Sequence, residues 1–182
     1  DPVLVAARRA AAQRAAVVLG CRIAGFGAFP DNAFDTVPLL DLVRHVEAVI
    51  EAERPRVVYG HFAGDLNVDH QLAARAVLTA CRPRPGLEVR EVLAFRVPSS
   101  TEWSHPSCGP VFAPDTYVDI GAQVDHLLAA YACYEAEVRP DPHARSAEAL
   151  RLDVQRTGRV VGLAAAEAFV TIRRLFGAGA QR

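Results

Sequence analysis

Apolar positions along the chain alternate between helical spacing and short β-branched runs. From Pro2 to Leu19, Ala and Val interleaved with Arg predict a helix closed by Gly20, and Cys21 to Gly25 then reads as a short buried strand. Pro30-Asp31-Asn32 is turn chemistry. After Asp35-Thr36 and Pro38, the apolar spacing predicts an amphipathic helix over Leu39 to Glu53. Pro55 ends it, Arg56-Val57-Val58-Tyr59 reads as a strand, Gly60 to Val68 as a polar loop, and Asp69 to Cys81 as another helix. Beyond the Arg82-Pro83-Arg84-Pro85-Gly86 breaker, strands are expected at Val89 to Val97 and Tyr117 to Ile120, with irregular chain between them. A helix follows from Gln123 to Glu137. Pro140-Asp141-Pro142 breaks it, and Ser146 is placed to cap a long final helix reaching about Phe176.

Helices alternating with short apolar strands imply an α/β fold, a Rossmann-like and mostly parallel sheet with helices on both faces. Such sheets bind ligands at the carboxyl ends of their strands, and the loop over residues 60–70 leaves one such end.

Bulk composition narrows the classes. With 182 residues, 51% hydrophobic and 23% charged, the chain suits one globular domain over residues 1–182. A formal net charge of -1 provides no broad basic surface for nucleic acid or for an anionic membrane. No apolar stretch reaches the ~20 residues of a membrane span. Arg8, Arg9 and Arg14 interrupt the opening segment, unlike a signal-peptide core, so a cytoplasmic protein is expected. Four scattered cysteines without a CxxC pair read as reduced thiols.

The chemistry concentrates in His61-Phe62-Ala63-Gly64-Asp65-Leu66-Asn67-Val68-Asp69-His70, where two imidazoles, an amide and carboxylates open a helix. Two neutral imidazoles with a carboxylate are the donor types of a catalytic zinc, and a neighbouring carboxylate could serve its water as base. The competing reading is a solvated loop in which Asp69 caps the helix and the histidines merely hydrogen-bond. A calcium loop is excluded: Asp65-x-Asn67-x-Asp69 matches its opening, but His70 and Ala76 stand where that loop needs Gly and Glu.

The same loop resembles the second motif of the PIG-L/LmbE deacetylases, in which a strand ends in His and a short acidic stretch closes on Asp-His. Three further stretches agree in order: Ser99-Ser100-Thr101-Glu102-Trp103, the region from Tyr134-Glu135 to Pro142-His143-Ala144-Arg145-Ser146, and Ala166-Glu167-Ala168-Phe169. The resemblance implies a zinc-dependent N-deacetylase, with other divalent metals open, acting on a small N-acetyl sugar or sugar conjugate. It implies His70 as metal ligand and Asp69 as the neighbour that orients the site. His61 and Asp65 become groups behind the ligand or facing the substrate. Homo-oligomerisation stays open.

Two departures from the family follow. Its opening His-Pro-Asp-Asp motif, which supplies further ligands and the base, is absent here, and His105-Pro106-Ser107 is no substitute. Since the sequence also contains no Met, that motif and the first strand or strands of the fold are expected upstream of Asp1. On that reading the domain is incomplete, and this chain alone is expected to bind zinc poorly, to be inactive, and to associate through uncovered apolar surface. The alternative is a non-catalytic relative acting as a binding or assembly subunit. The second departure is Asn67, where several members carry a His that stabilises the tetrahedral intermediate. His143 could supply a cationic donor in its place, or be a surface loop histidine. Arg145 could grip a substrate hydroxyl or phosphate, or form a salt bridge. Trp103 could stack on a sugar ring, or be a buried ring.

Overall fold

Along the chain run α1 (Pro2–Leu19), a 3-10 turn (Phe34–Thr36), α2 (Leu39–Glu53), β1 (Val57–His61), α3 (Val68–Ala80), β2 (Glu91–Phe95), β3 (Thr116–Asp119), α4 (Val124–Ala132), α5 (Ala147–Val160) and β4 (Ala166–Arg174). This computed structural model describes residues 2–176. Its strands form one mixed sheet in the order β1-β2-β4-β3, and the chain divides into two compact units.

One unit joins residues 27–116 to the segment from Phe169. Its core forms because α2 places Leu42, Val43 and Ile50 on one face, the i, i+1, i+8 pattern of a helical stripe. They meet Ala76, Ala80 and Cys81 of the α3 end and Val89 and Val92 of the second-strand region, all buried. Gly60 on β1 lets α3 lie close to the strand: a Cβ there would come within 3.2 Å of a Val77 methyl. Arg54, at φ 47°, caps α2 in the left-handed conformation, its N–H donating to the Ile50 carbonyl.

β1 and β2 pair in parallel with Val57 opposite Glu91 and His61 opposite Phe95. That register brings the carboxyl ends of two parallel strands together at His61, as the sequence pattern led us to expect. β4 pairs with β2 antiparallel, with a bulge between Val92 and Leu93, so the sheet is mixed.

The other unit holds the chain up to Phe26 and Tyr117–Ala168. Here α1 buries Ala11, Ala15 and Ala16, spaced i, i+4, i+5, and packs on α4, which packs on α5. Ile120, Val124, Val154 and Ala165 form its buried centre, and Ser146 caps α5 by accepting the Ala149 N–H at 3.0 Å. Gly158 is required there: a Cβ would stand 2.6–2.7 Å from three backbone atoms of Ala165. Gly158→Ala is therefore expected to cost about 1–3 kcal/mol by overpacking, read as a lower urea midpoint at unchanged slope; an unchanged midpoint would refute the close approach.

Three sequence expectations are corrected. Residues 21–25 form no strand and are largely exposed: none of the four strands of the described sheet includes them, and the Cys21 N–H instead donates to the Ala16 carbonyl at the end of α1. The helix expected to run to Glu137 ends at Ala132, followed by turns. The long final helix stops at Val160: Gly162 turns at φ 79°, and the β-branched Val170-Thr171-Ile172 run continues as β4 instead.

Candidate functional site

His61 ends β1, and the chain then turns through Phe62-Ala63-Gly64 into Asp65. Gly64 is needed because a Cβ would overlap the Pro110 carbonyl and the Phe62 ring. Asn67 caps α3, its side-chain oxygen accepting the Asp69 N–H at 2.8 Å, and this starts the helix that carries His70.

Asp65 is the centre of the arrangement. It is 1% exposed, and four donors converge on its carboxylate. Thr101 Oγ1 at 2.6 Å and Ser100 Oγ at 2.9 Å donate to Oδ2. The Asn67 N–H at 2.8 Å and His70 Nδ1 at 3.0 Å approach Oδ1. Burial pushes the carboxyl pKa upward, but the bonds from Thr101, Asn67 and Ser100 together with the charge of His70 outweigh it and hold the acid below its usual value. The loop is pinned further by Gln71 Nε2 donating to the Asp65 carbonyl at 2.6 Å and by the Leu66 N–H donating to the Ser100 carbonyl at 3.1 Å.

His61 and His70 stack, with ring centroids 4.4 Å apart and planes 19° from parallel, and His61 also meets the Phe95 ring at 4.7 Å. Burial first, then the neighbouring His70, lowers the His61 pKa from 6.5 to about 4, against a smaller opposing effect of Asp65. His61 is therefore a neutral imidazole at neutral pH. A folded-state pKa below the unfolded one means that the unfolded chain binds more protons between about 4 and 6.5. The stability tied to His61 is thus complete above 6.5 and lost as pH falls toward about 4. We expect the wild type to lose more stability between pH 7 and 5 than His61→Phe, read from urea midpoints; equal losses would contradict it.

The remaining candidates are placed as follows. Asp69 is buried and its Oδ1 accepts the Phe34 N–H at 2.9 Å, tying the 3-10 turn to the first turn of α3. The Asn67 amide nitrogen donates to Asn32 Oδ1 at 3.1 Å, and Asn32 holds a left-handed φ of 52°. Trp103 is 59% exposed, which rules out the buried-ring alternative. His143 and Arg145 lie in the other unit. There Arg145 pairs with Glu137 at 2.8 Å, and its N–H donates to His143 Nδ1 at 2.9 Å. The five residues His61, Asp65, Asn67, Asp69 and His70 thus span the end of β1, the turn after it and the first turn of α3. Ser100 and Thr101 belong to a stretch that carries the family resemblance, but sequence reasoning assigned them no site role, since their contact with Asp65 is long-range.

His70 Nδ1 faces the Asp65 carboxylate at 3.0 Å, the kind of partner that stands behind the ring of a metal-ligating histidine. Among the described residues, no three His, Cys, Asp or Glu side chains gather into a metal-binding group. The four cysteines are free thiols, and no helix of the described residues is long and apolar enough to cross a membrane.

The family model described as GlcNAc-PI de-N-acetylase, PIG-L, matches residues 2–81, the segment that carries this loop. A conserved protein from Thermus thermophilus has a similar structure, with 24% identity, TM-score 0.74 and coverage of 97% of this chain and 77% of that one. An N,N'-diacetylchitobiose deacetylase from Pyrococcus horikoshii is similar at 16% identity and TM-score 0.72, covering 93% of this chain and 64% of the deacetylase. At those identities the likeness is one of fold. No curated protein matches the sequence.

Proposed function

We propose that this protein, whose residues 2–81 match the PIG-L family model, is a metal-dependent hydrolase of that family that removes an acetyl group from an N-acetylated sugar or sugar conjugate. The observation that carries the reading is the Asp65–His70 pair, at 3.0 Å, beside the carboxyl end of β1 and inside the family-matched segment. The fold shared with a chitobiose deacetylase supports it.

Zinc is the metal the family implies, and a His and carboxylate site also accepts other divalent ions. Such an ion polarises the acetamide carbonyl and lowers the pKa of a bound water. In this chain His70 Nε2 is the atom that would face it. No reaction step is assigned through the metal, because the described residues supply this one oriented ligand and no ligand group.

The other residues position and select. Asp65 orients His70, and Asp69 and Asn67 fix the first turn of α3 beneath it. Neutral His61 supports the flat face of the His70 ring. The exposed Trp103 offers a stacking surface for a sugar ring. His143 and Arg145 stay outside the proposal, since a His143 Nδ1 that accepts an N–H is not a cationic donor and Arg145 is already paired.

The test is acetate release, followed by the methyl resonance of acetate in proton NMR. N-acetylglucosamine, N-acetyl disaccharides and N-acetylglucosaminyl lipids would be offered to the complete gene product with zinc. Release from one of these supports the reading; no release from any of them, with zinc or with cobalt, rejects it.

A further inference from the structure

We propose that the turn at residues 97–102 is the positioning device of this site: through Thr101 and Ser100 it fixes Asp65, which holds His70 in the Nδ1–H tautomer with Nε2 presented outward. The functional consequence rests on the deacetylase reading given above; the tautomer does not.

The geometry forces the direction of each bond. Thr101 Oγ1 accepts the Val97 N–H at 2.8 Å, so its own hydrogen is left for Asp65 Oδ2 at 2.6 Å. A buried hydroxyl with both roles assigned has no rotor freedom. Ser100 donates to the same oxygen at 2.9 Å and lies 3.4 Å from His70 Nδ1, too far for a second strong bond. Oδ2 therefore holds two hydroxyl hydrogens and Oδ1 one backbone N–H, which turns the remaining lone pair of Oδ1 to His70 at 3.0 Å. A carboxylate surrounded by donors is acceptor-only, so the hydrogen between it and His70 sits on Nδ1.

The turn is itself built to deliver those two hydroxyls. Ser99 is 5% exposed and holds φ 78°, a left-handed conformation that costs a residue with a Cβ. It is retained by surrounding bonds. The Ser99 N–H donates to Glu102 Oε2 at 2.6 Å, the Trp103 N–H to the Ser99 carbonyl at 2.9 Å, and the Thr101 N–H to the Val97 carbonyl at 3.1 Å. Arg96 holds Glu102 from outside at 2.7 Å. A strained, buried serine next to two hydroxyls that converge on one carboxylate marks the turn as a device for setting geometry.

The experiment uses the full chain with its histidine ring nitrogens labelled, in the absence of metal. Long-range proton–nitrogen correlation spectra report which ring nitrogen carries the hydrogen. In the wild type His70 is expected as the Nδ1–H tautomer. Thr101→Val, nearly isosteric, is expected to give a mixture of tautomers and a 10–100-fold loss of metal affinity or of kcat/KM, roughly the usual effect of removing a group behind a ligand. Thr101→Ser is expected to restore the wild-type ring signals. Should Thr101→Val not fold, Ser100→Ala is read instead, with a smaller shift in the same direction.

Wild-type ring signals in both Thr101→Val and Ser100→Ala, or an Nε2–H tautomer in the wild type, would overturn the proposal. A tautomer that responds as expected in a protein that releases no acetate would uphold the positioning role and reject the hydrolase reading.

Discussion

Replacing His70 with Ala is expected to lower kcat/KM for acetate release by about a thousandfold or more, the several kcal/mol that a Lewis-acid centre contributes. The fold should tolerate the change. His70 is 23% exposed and lies in the first turns of α3, where Ala is a favourable helix residue. Asp65 would keep three donors, from Thr101, Ser100 and Asn67, so no buried charge is abandoned. Activity should therefore fall with the melting temperature almost unchanged. A variant with kcat/KM within tenfold of wild type would remove His70 from the reaction.

Asp65→Ala has the opposite signature. Its loss strips partners from two hydroxyls, a backbone N–H and an imidazole around a side chain that is 1% exposed. Breaking a buried charged network by removing one member costs about 3–5 kcal/mol, which for a domain of this size is a fall in Tm of roughly 6–20 °C. Since the donors hold the Asp65 carboxyl below its usual value of 3.8, this stabilisation is present above the carboxylate range and fades only as pH falls through the lowered value. Urea unfolding at pH 7 checks it. A loss under about 1 kcal/mol would mean that the four donors find water or other partners.

Much of the framework was legible because it depends on local signals. The stripe Leu42, Val43, Ile50 specified α2, and the β-branched run at Val57-Val58 marked β1, which runs on through Gly60 to His61. The start of α3 was read to within a residue, but with Asp69 as the cap; the structure gives that role to Asn67, whose side chain accepts the Asp69 N–H. What escaped was non-local. Thr101 and Ser100 act on a carboxylate 36 and 35 residues earlier, and nothing within a short window of sequence records that contact. The final strand was hidden for a related reason. Ala166-Glu167-Ala168 has helical propensity, but pairing of the following β-branched residues with β2 overrode it. Cys21–Gly25 erred the other way, apolar enough for a strand yet not part of the described sheet. Asp69 was read as the neighbour of His70 that orients the site; its long-range bond, the Phe34 N–H donating to Oδ1, was not legible in the sequence.

The most direct measurement is the zinc content of the complete gene product after gel filtration, by elemental analysis, for the wild type and His70→Ala. About one zinc per chain in the wild type, lost in His70→Ala, is the expected result. Zinc retained undiminished by His70→Ala would contradict the assignment of His70 as the metal-facing group.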